Sequence, residues 1–502
     1  MGFVKIYENV FRGTFPVQEG ALGSLLARFG PAHVVGHPTF RNAENIGAQL
    51  RRGMEAALAA FGEERIAFVI SDGTCTMDRP DTSTLDAALG AAAQFFQDLV
   101  PSLRARLLVA ATPYDGYKGD RTPGKGSALK LLFDETAHCS SMQTLILLDG
   151  DLRNDFHPWF RTFAAVFAEH RQNWQHRPFF ITARYARHFV DASLTRFIVG
   201  PLTTLMGCYV PGGISGDIVL SAKAVQHERE AVWDDARRRY GTDIATTLDN
   251  IADPQTVLYE VYLGAKLHDI TDEAKLSVMP GEVIGSALHR LLHYEDRDGR
   301  ISRLLVSQDP LKRPVVWGPE KTGIAFIDPG YTNVFDVDRK RETLLEGFAR
   351  HEKAMKETLN PETFRAVEDR VHRLRAAPFH DTAPVLFLDV TRDFWIRLLY
   401  ESLGHLFATR QVDAVKSCLN YLYTAAFLEF CREKLEHLGA RTYGAVRALQ
   451  MRLGVAPEKA ERFYREEVDA VVDAMALSFY RGRRAIVEEI RRRTSAFPVP
   501  PR

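Results

Sequence analysis

Over the first half of the chain, short unbroken apolar runs alternate with longer stretches of helical period. The apolar runs fall at 32–36, 65–70, 106–111, 145–148, 179–185, 218–221 and 257–263. They have strand length, and their lack of polar alternation fits strands covered on both faces. The helical period occupies 21–29, a segment after Gly47 that runs to about Phe61, 84–99, a segment opening at Ser127, 159–169, 192–205 and 222–239. A further helix begins after Tyr240, with Thr242 or Asp243 as its cap. This alternation predicts a mostly parallel sheet with helices on both faces. Residues 1–20 show no pattern that places them. From residue 274 to Arg493 the helical period dominates, broken by a proline- and glycine-containing stretch at 310–331. The expected fold is therefore an α/β domain over 1–273 followed by a mainly α-helical domain over 274–502.

Composition narrows the partners. The chain has 502 residues, 46% hydrophobic and 25% charged, with a formal net charge of zero. That balance suits a globular protein and argues against a broad nucleic-acid surface or a polybasic membrane anchor. The N-terminus lacks the layout of a secretory signal, and no apolar stretch is long enough to cross a bilayer. Five cysteines at positions 75, 139, 208, 418 and 431 form no Cys-x-x-Cys pair. Reduced thiols in a cytoplasmic protein are the expectation.

The chemistry gathers where the apolar runs stop. Residues 145–151 read Leu-Ile-Leu-Leu-Asp-Gly-Asp. Charge is costly inside a buried strand, so Asp149 and Asp151 belong at its C-terminal tip, where open α/β sheets place ligands. Two oxygen donors there suit Mg²⁺ or Mn²⁺, and such a metal suits a diphosphate. An Asp-Gly turn without function reads equally well from the motif alone. Asp72 ends the second run, in Ser71-Asp-Gly-Thr, and Pro38, Thr39, Phe40 and Asn42 follow the first. Neighbouring polar tips would make one crevice. Lys125 lies between Gly124 and Gly126 ahead of a helix, a setting that suits phosphate oxygens or a plain turn. His268 follows the last α/β strand, where its imidazole could join the metal. Asp217 and Asp243, at element boundaries, could bind hydroxyls or act as general base. Arg184 and Arg187, with Thr195 further on, suit an acceptor carboxylate or phosphate, or a solvated helix face.

Taken in order, these segments resemble the GT-A glycosyltransferases. The nearest likeness is to the retaining enzymes that make mannosylglycerate, glucosylglycerate and glucosyl-3-phosphoglycerate. The residues that carry it are Pro38-Thr-Phe-Arg-Asn-Ala-Glu-Asn-Ile, Ser71-Asp-Gly-Thr, Pro123-Gly-Lys-Gly-Ser-Ala-Leu and Asp149-Gly-Asp. Ile214-Ser-Gly-Asp217, Tyr240-Gly-Thr-Asp-Ile and Leu263-Gly-Ala-Lys-Leu-His268 complete the series, which spans residues 32–270.

The resemblance implies a GT-A, Rossmann-like nucleotide-sugar domain. It makes Asp149, Asp151 and His268 the metal ligands. Pro38, Thr39, Phe40, Asn42, Asp72, Lys125, Asp149 and Gly150 would bind the nucleotide-sugar. Arg184, Arg187, Thr195, Ser215 and Gly216 would bind the acceptor, and Asp217 and Asp243 would be catalytic. The implied reaction moves a hexose from a GDP-, UDP- or ADP-sugar to a small anionic hydroxylated acceptor such as glycerate or 3-phosphoglycerate, with retention. Arg41-Asn42 stand where many relatives have Asn-Glu, which leaves the base open. Two rivals remain. An inverting transferase of this fold would use Asp217 as base, and a non-catalytic protein would bind the nucleotide-sugar alone. The sequence does not say whether the helical half makes a homodimer.

Overall fold

The computed structural model describes residues 2–74, 81–114, 124–186, 192–268, 273–318, 337–377, 387–437 and 469–496. Within them the chain forms two compact units. One takes the described parts of 1–185, 214–269 and 314–325, and the other takes 186–213, 270–313 and 326–502.

The first unit is built on one ten-stranded sheet. Its strands are β1 (Phe3–Tyr7), β2 (Val10–Gly13), β3 (His33–Thr39), β4 (Ile66–Asp72), β5 (Leu107–Pro113), β6 (Thr144–Leu147), β7 (Phe179–Ala186), β8 (Ile218–Ser221), β9 (Val257–Ala265) and β10 (Val315–Trp317). They lie in the order β1-β2-β5-β4-β3-β6-β8-β7-β9-β10. Pairing is parallel from β2 through β5, β4 and β3 to β6, and again between β9 and β10. It is antiparallel at β1–β2, β6–β8 and β7–β8. The strand at 145–148, expected to be parallel, is so on its β3 side only.

Two apolar cores explain the unbroken runs. On β4, Ile66, Phe68 and Ile70 enter one core while Ala67 and Val69 enter the other. On β6, Ile146 faces the first core, with Leu148 just beyond the strand, and Leu145 and Leu147 face the second. Successive side chains point to opposite faces, so a sheet covered on both sides needs apolar residues at every position. Each fully buried Leu, Ile or Phe contributes about 1.5–3 kcal/mol. Such strands can therefore carry charge only at their ends.

The covering helices include α1 (Ala21–Phe29), α2 (Ile46–Ala60), α3 (Ser83–Asp98), α4 (Lys125–Thr136), α5 (His157–Asn173), α6 (Ala222–Glu230) and α7 (Thr242–Ala252). Glu135 of α4 caps α1 by accepting the Gly20 and Gly23 N–H groups at 2.8 and 2.7 Å.

The structure corrects several expectations. The unplaced N-terminus forms the β1–β2 hairpin and extends the sheet beyond β5. β1 lacks an apolar run because it is an edge strand, with Val4 and Ile6 exposed, and β2 beside it has only four residues. The interrupted stretch at 310–331 returns β10 to the sheet beside β9. The charged segment at 222–239 is two helices, α6 and a turn at Asp235–Arg238, the second capped by Asp234. Gly241, not Thr242 or Asp243, holds the N-cap position of α7, and no side chain caps it.

The second unit is helical, with long helices at Glu273–Asp298, Val337–Thr358, Pro361–Ala376, Arg392–Thr409, Val412–His437, Asp469–Arg481 and Arg484–Ala496. Phe197 packs edge-on against Trp395, Phe427 and Phe430, and the Trp395 indole N–H donates to the Phe197 carbonyl at 3.1 Å.

His37 of β3 is fully buried. Burial pushes its imidazole down to about 4 from the ordinary 6.5, against the opposing effects of a Leu148 backbone hydrogen bond and the Asp149 charge. Between those pH values the unfolded chain binds more protons than the folded one, so stability rises with pH and is lost on acidification. The His37 share is about 3 kcal/mol. Burial also lowers His33 and His170, which adds to the same slope. The urea midpoint of the wild type should fall from about pH 6.5 toward about pH 4, and His37→Gln should flatten that fall. An equal slope in the variant would remove His37 from the account.

Candidate active site

The sheet order reverses beside β3. From β3 the chain proceeds outward through β4 to β5, then returns to place β6 on the other side of β3. Open α/β sheets bind ligands beyond the C-terminal strand ends at such a switch point. The residues after both strands meet there. Gly150 lies so close to the β3 tip that a Cβ would sit 2.9 Å from the Pro38 carbonyl oxygen and 3.2 Å from Asn42 Oδ1.

Asp149 is the hub. Lys125 Nζ stands 2.8 Å from its Oδ1, and Lys266 Nζ stands 2.6 Å from its Oδ2. Lys125 also reaches Asp243 Oδ2 at 2.9 Å. Lys266 also reaches Asp217 Oδ2 at 2.6 Å and donates to the Ser215 carbonyl at 2.7 Å. Asp217 Oδ1 accepts the Asp149 N–H at 3.0 Å, and its Oδ2 accepts the Tyr185 hydroxyl at 2.6 Å. Two ammonium groups thus meet three carboxylates.

The electrostatics follow from that count. Burial would lower the Lys125 ammonium, but Asp149 and Asp243 outweigh it and hold the pKa above the usual lysine value. Burial would raise Asp149, but Lys125 and Lys266 hold it well below the ordinary carboxylate range. Asp243 is raised, chiefly by burial and further by Asp149, and Lys125 only partly offsets this. It is the carboxylate for which the cations do not suffice. Its Oδ1 is buried without a hydrogen-bond partner among the described residues.

Glycines around the cluster serve backbone contact. A Cβ on Gly126 would run into the Arg237 carbonyl oxygen, and the Gly126 N–H donates to the Arg239 carbonyl at 3.0 Å. The Gly-Lys-Gly segment is therefore pressed onto 237–239, and Lys125 projects from it into the cluster. Arg237 is itself fixed by the buried Glu228 and by Asp249. Gly216 adopts φ +79°, and a Cβ there would collide with the Asp149 carboxylate.

The other sequence-picked residues divide. Asp72 is 0% exposed, and its oxygens accept Thr39 Oγ1 and Thr74 Oγ1 at 3.0 Å and the Thr74 N–H at 3.1 Å. It shapes the β3 and β4 tips from within. Phe40 is exposed at the β3 tip, its N–H donating to Asn42 Oδ1 at 2.8 Å. The guanidinium of Arg41, a residue with φ 58°, lies 5.2 Å from the Phe40 ring. Ser215 accepts the Ala183 N–H at 3.3 Å. Arg184 is buried in an ion pair with Glu260 of β9 at 3.5 Å. Arg187 lies outside the described residues. Thr195 belongs to the helical unit and opens a π-helical turn, Thr195–Val199.

For a divalent cation the donor set is a carboxylate and an imidazole. His268 pairs with Leu152 in an antiparallel bridge, and the Arg153 N–H donates to the Leu267 carbonyl at 2.8 Å. This brings His268 to the residue that follows Asp151. Asp149 has both oxygens on ammonium groups. Among the described residues no group of three or more His, Cys, Asp or Glu is arranged to hold a metal. A cation held by Asp151 and His268 would have to take its remaining ligands from water or a diphosphate.

Sequence reasoning missed Lys266, Tyr185, Gln49 and Tyr114. Lys266 had a signal, a charge directly after a buried apolar run. Gln49 had another, a polar residue on the apolar face of α2; its Nε2 donates to the Asp149 carbonyl at 2.5 Å and its Oε1 accepts the Leu152 N–H at 2.9 Å. Tyr114 had none; its hydroxyl donates to the Gly124 carbonyl at 2.9 Å and accepts the Gly124 N–H at 2.9 Å.

No protein-family model matches the chain, and no curated protein matches it. Among solved structures the chain is similar to glucosyl-3-phosphoglycerate synthase from Mycobacterium tuberculosis. Its complex with Mn²⁺, UDP-glucose and glycerol 3-phosphate is 17% identical with a TM-score of 0.35, over 55% of this chain and 84% of that one. Its complex with Mn²⁺, UDP and glucosyl-3-phosphoglycerate is 17% identical with a TM-score of 0.36, over 57% and 88%. A mycobacterial protein crystal structure is 18% identical with a TM-score of 0.36, over 55% and 80%. Likeness at this level transfers no role to any residue here.

Replacing Lys266 tests the cluster. Lys266→Met leaves Asp149 and Asp217 short of a cation, and removing one partner of a buried pair costs about 3–5 kcal/mol. Chemical denaturation at neutral pH should show a loss of that order. A loss under about 1 kcal/mol would mean that the ammonium does not hold these carboxylates.

Proposed function

We propose that this chain is a metal-dependent glycosyltransferase that moves a hexose from a nucleoside-diphosphate sugar to a small anionic hydroxylated acceptor, with retention at the anomeric carbon. The observation that carries the reading is the cluster at the sheet's switch point. Lys125, Asp149, Lys266, Asp217 and Asp243 interlock there, and Asp151 and His268 lie at its margin. Asp243 Oδ1 is buried with no hydrogen-bond partner among the described residues, and a sugar hydroxyl would satisfy it.

The residues divide the work as follows. Asp151 and His268 would hold Mg²⁺ or Mn²⁺, which offsets charge on the departing diphosphate. An imidazole beside a carboxylate favours Mn²⁺ over Mg²⁺. Lys125, at the N-terminus of α4, adds positive potential on the same side. Phe40 and its neighbours offer the nucleobase an exposed ring. Asp243 accepts from a sugar hydroxyl and fixes the hexose. Ser215 and Gly216 shape the wall against Asp149. Of the residues expected at the acceptor, Ser215, Gly216 and Arg184 lie in the same unit as the cluster.

Retention is supported by the state of Asp217. At 1% exposure, with Tyr185, Lys266 and the Asp149 N–H on its oxygens, it is poorly placed to take an acceptor proton. In the retaining reading the bond from the anomeric carbon to the diphosphate breaks, and the acceptor oxygen bonds to the same face. The acceptor proton passes to the released phosphate oxygen. Positioning supplies much of the rate.

Calorimetric titration with UDP, GDP and ADP, each with and without Mn²⁺, is the first test. One nucleotide should bind tightly only with the metal. Asp151→Ala should abolish that metal dependence while leaving the thermal midpoint within a few degrees. Unchanged Mn²⁺-dependent affinity in the variant would overturn the site. Donor sugars screened against glycerate and 3-phosphoglycerate should then give a product that keeps the donor's anomeric configuration. An inverted product would hand the role of base to Asp217, and binding without turnover would leave a non-catalytic protein.

A further inference from the structure

We infer that Asn154 is the positioning residue that holds His268 in register with Asp151, and so sets the affinity of the metal pair; this rests on the metal reading above. β9 ends at Ala265, and His268 lies beyond it, outside any strand ladder. The course of 265–268 is set instead by bonds to the segment after Asp151. Asn154 Nδ2 donates to the Ala265 carbonyl at 2.7 Å, and Asn154 Oδ1 accepts the Leu267 N–H at 2.9 Å. The Arg153 N–H to Leu267 carbonyl bond and the Leu152–His268 bridge lie directly alongside. Asn154 is 4% exposed, so its carboxamide is given wholly to this link.

The other side of the turn is anchored independently. From α2, Arg52 Nη2 donates to the Leu152 carbonyl at 2.9 Å, and its Nε donates to the Asn154 carbonyl at 3.1 Å. Gln49 grips the Asp149 carbonyl and the Leu152 N–H. α2 therefore fixes where Asp151 is, and Asn154 fixes where His268 is relative to it. A short carboxamide offers a donor and an acceptor on two separate atoms, as both bonds require. Aspartate cannot donate, and an apolar residue would orphan both the Ala265 carbonyl and the Leu267 N–H. Groups that orient a metal ligand typically change affinity by 10–100-fold when removed.

The test is a double-mutant cycle on the full chain, titrated with Mn²⁺ alone and read by the electron paramagnetic resonance of free Mn²⁺. Asn154→Ala should weaken Mn²⁺ binding about tenfold. In a His268→Ala background the same change should add less than about twofold, because a residue that acts through His268 has nothing left to position. Equal Mn²⁺ affinity in Asn154→Ala and wild type overturns the inference, and so does an equal loss in both backgrounds, which would mark general loosening of the turn. If Asn154→Ala fails to fold, Asn154→Ser carries the same cycle with a smaller expected loss. A wild type that binds no Mn²⁺, either alone or with UDP, GDP or ADP present, overturns the metal reading and this inference together. A wild type that binds it, with no coupling between Asn154 and His268, overturns this inference alone.

Discussion

The buried ammonium of Lys266 is the contact on which the rest of the site depends. It joins Asp149, which ends one strand, to Asp217, which begins another, and it ties both to the Ser215 carbonyl. Close carboxylates in a low-dielectric setting repel strongly, and without a cation between them the 214–217 loop could not close on the β6 tip. Lys125 does the same for Asp149 and Asp243 from the opposite side. Asp149, Asp217 and Asp243 are thus held in place by the protein's own cations.

Preorganisation has a cost in ligand capacity. Asp72, Asp149 and Asp217 spend their oxygens on the protein's own donors. Asp243 is different, since two ammonium groups cannot satisfy three carboxylates and burial discourages its charge. A buried group with unmet hydrogen-bonding capacity and a raised pKa is a candidate ligand-binding group. The glycines complete the arrangement. Gly126 lets the Lys125 segment press on the backbone of 237–239, and Gly216 lets its loop pass against a carboxylate.

Much of this was written in the order of residues. Strand and helix alternation gave the sheet and its two covering layers because a strand buried on both faces must be apolar throughout. The same rule pushed Asp72 and Asp149 to strand tips, since charge has no tolerable place inside such a run. Patterns failed where that rule relaxes. β1 at the edge, the four-residue β2 beside it and the three-residue β10 carry too little apolar surface to announce themselves.

What the sequence alone determined, then, is the fold class and the set of polar residues exiled to one end of the sheet. It could not determine strand order, because pairing joins residues far apart in sequence, and only the order places β6 beside β3. Nor could it assign partners to the exiled charges. Lys266 lies 117 residues from Asp149, and Lys125 lies 118 from Asp243. Which carboxylate a lysine neutralises, and which is left wanting, is settled by distances of a few ångströms that exist only once the chain has folded.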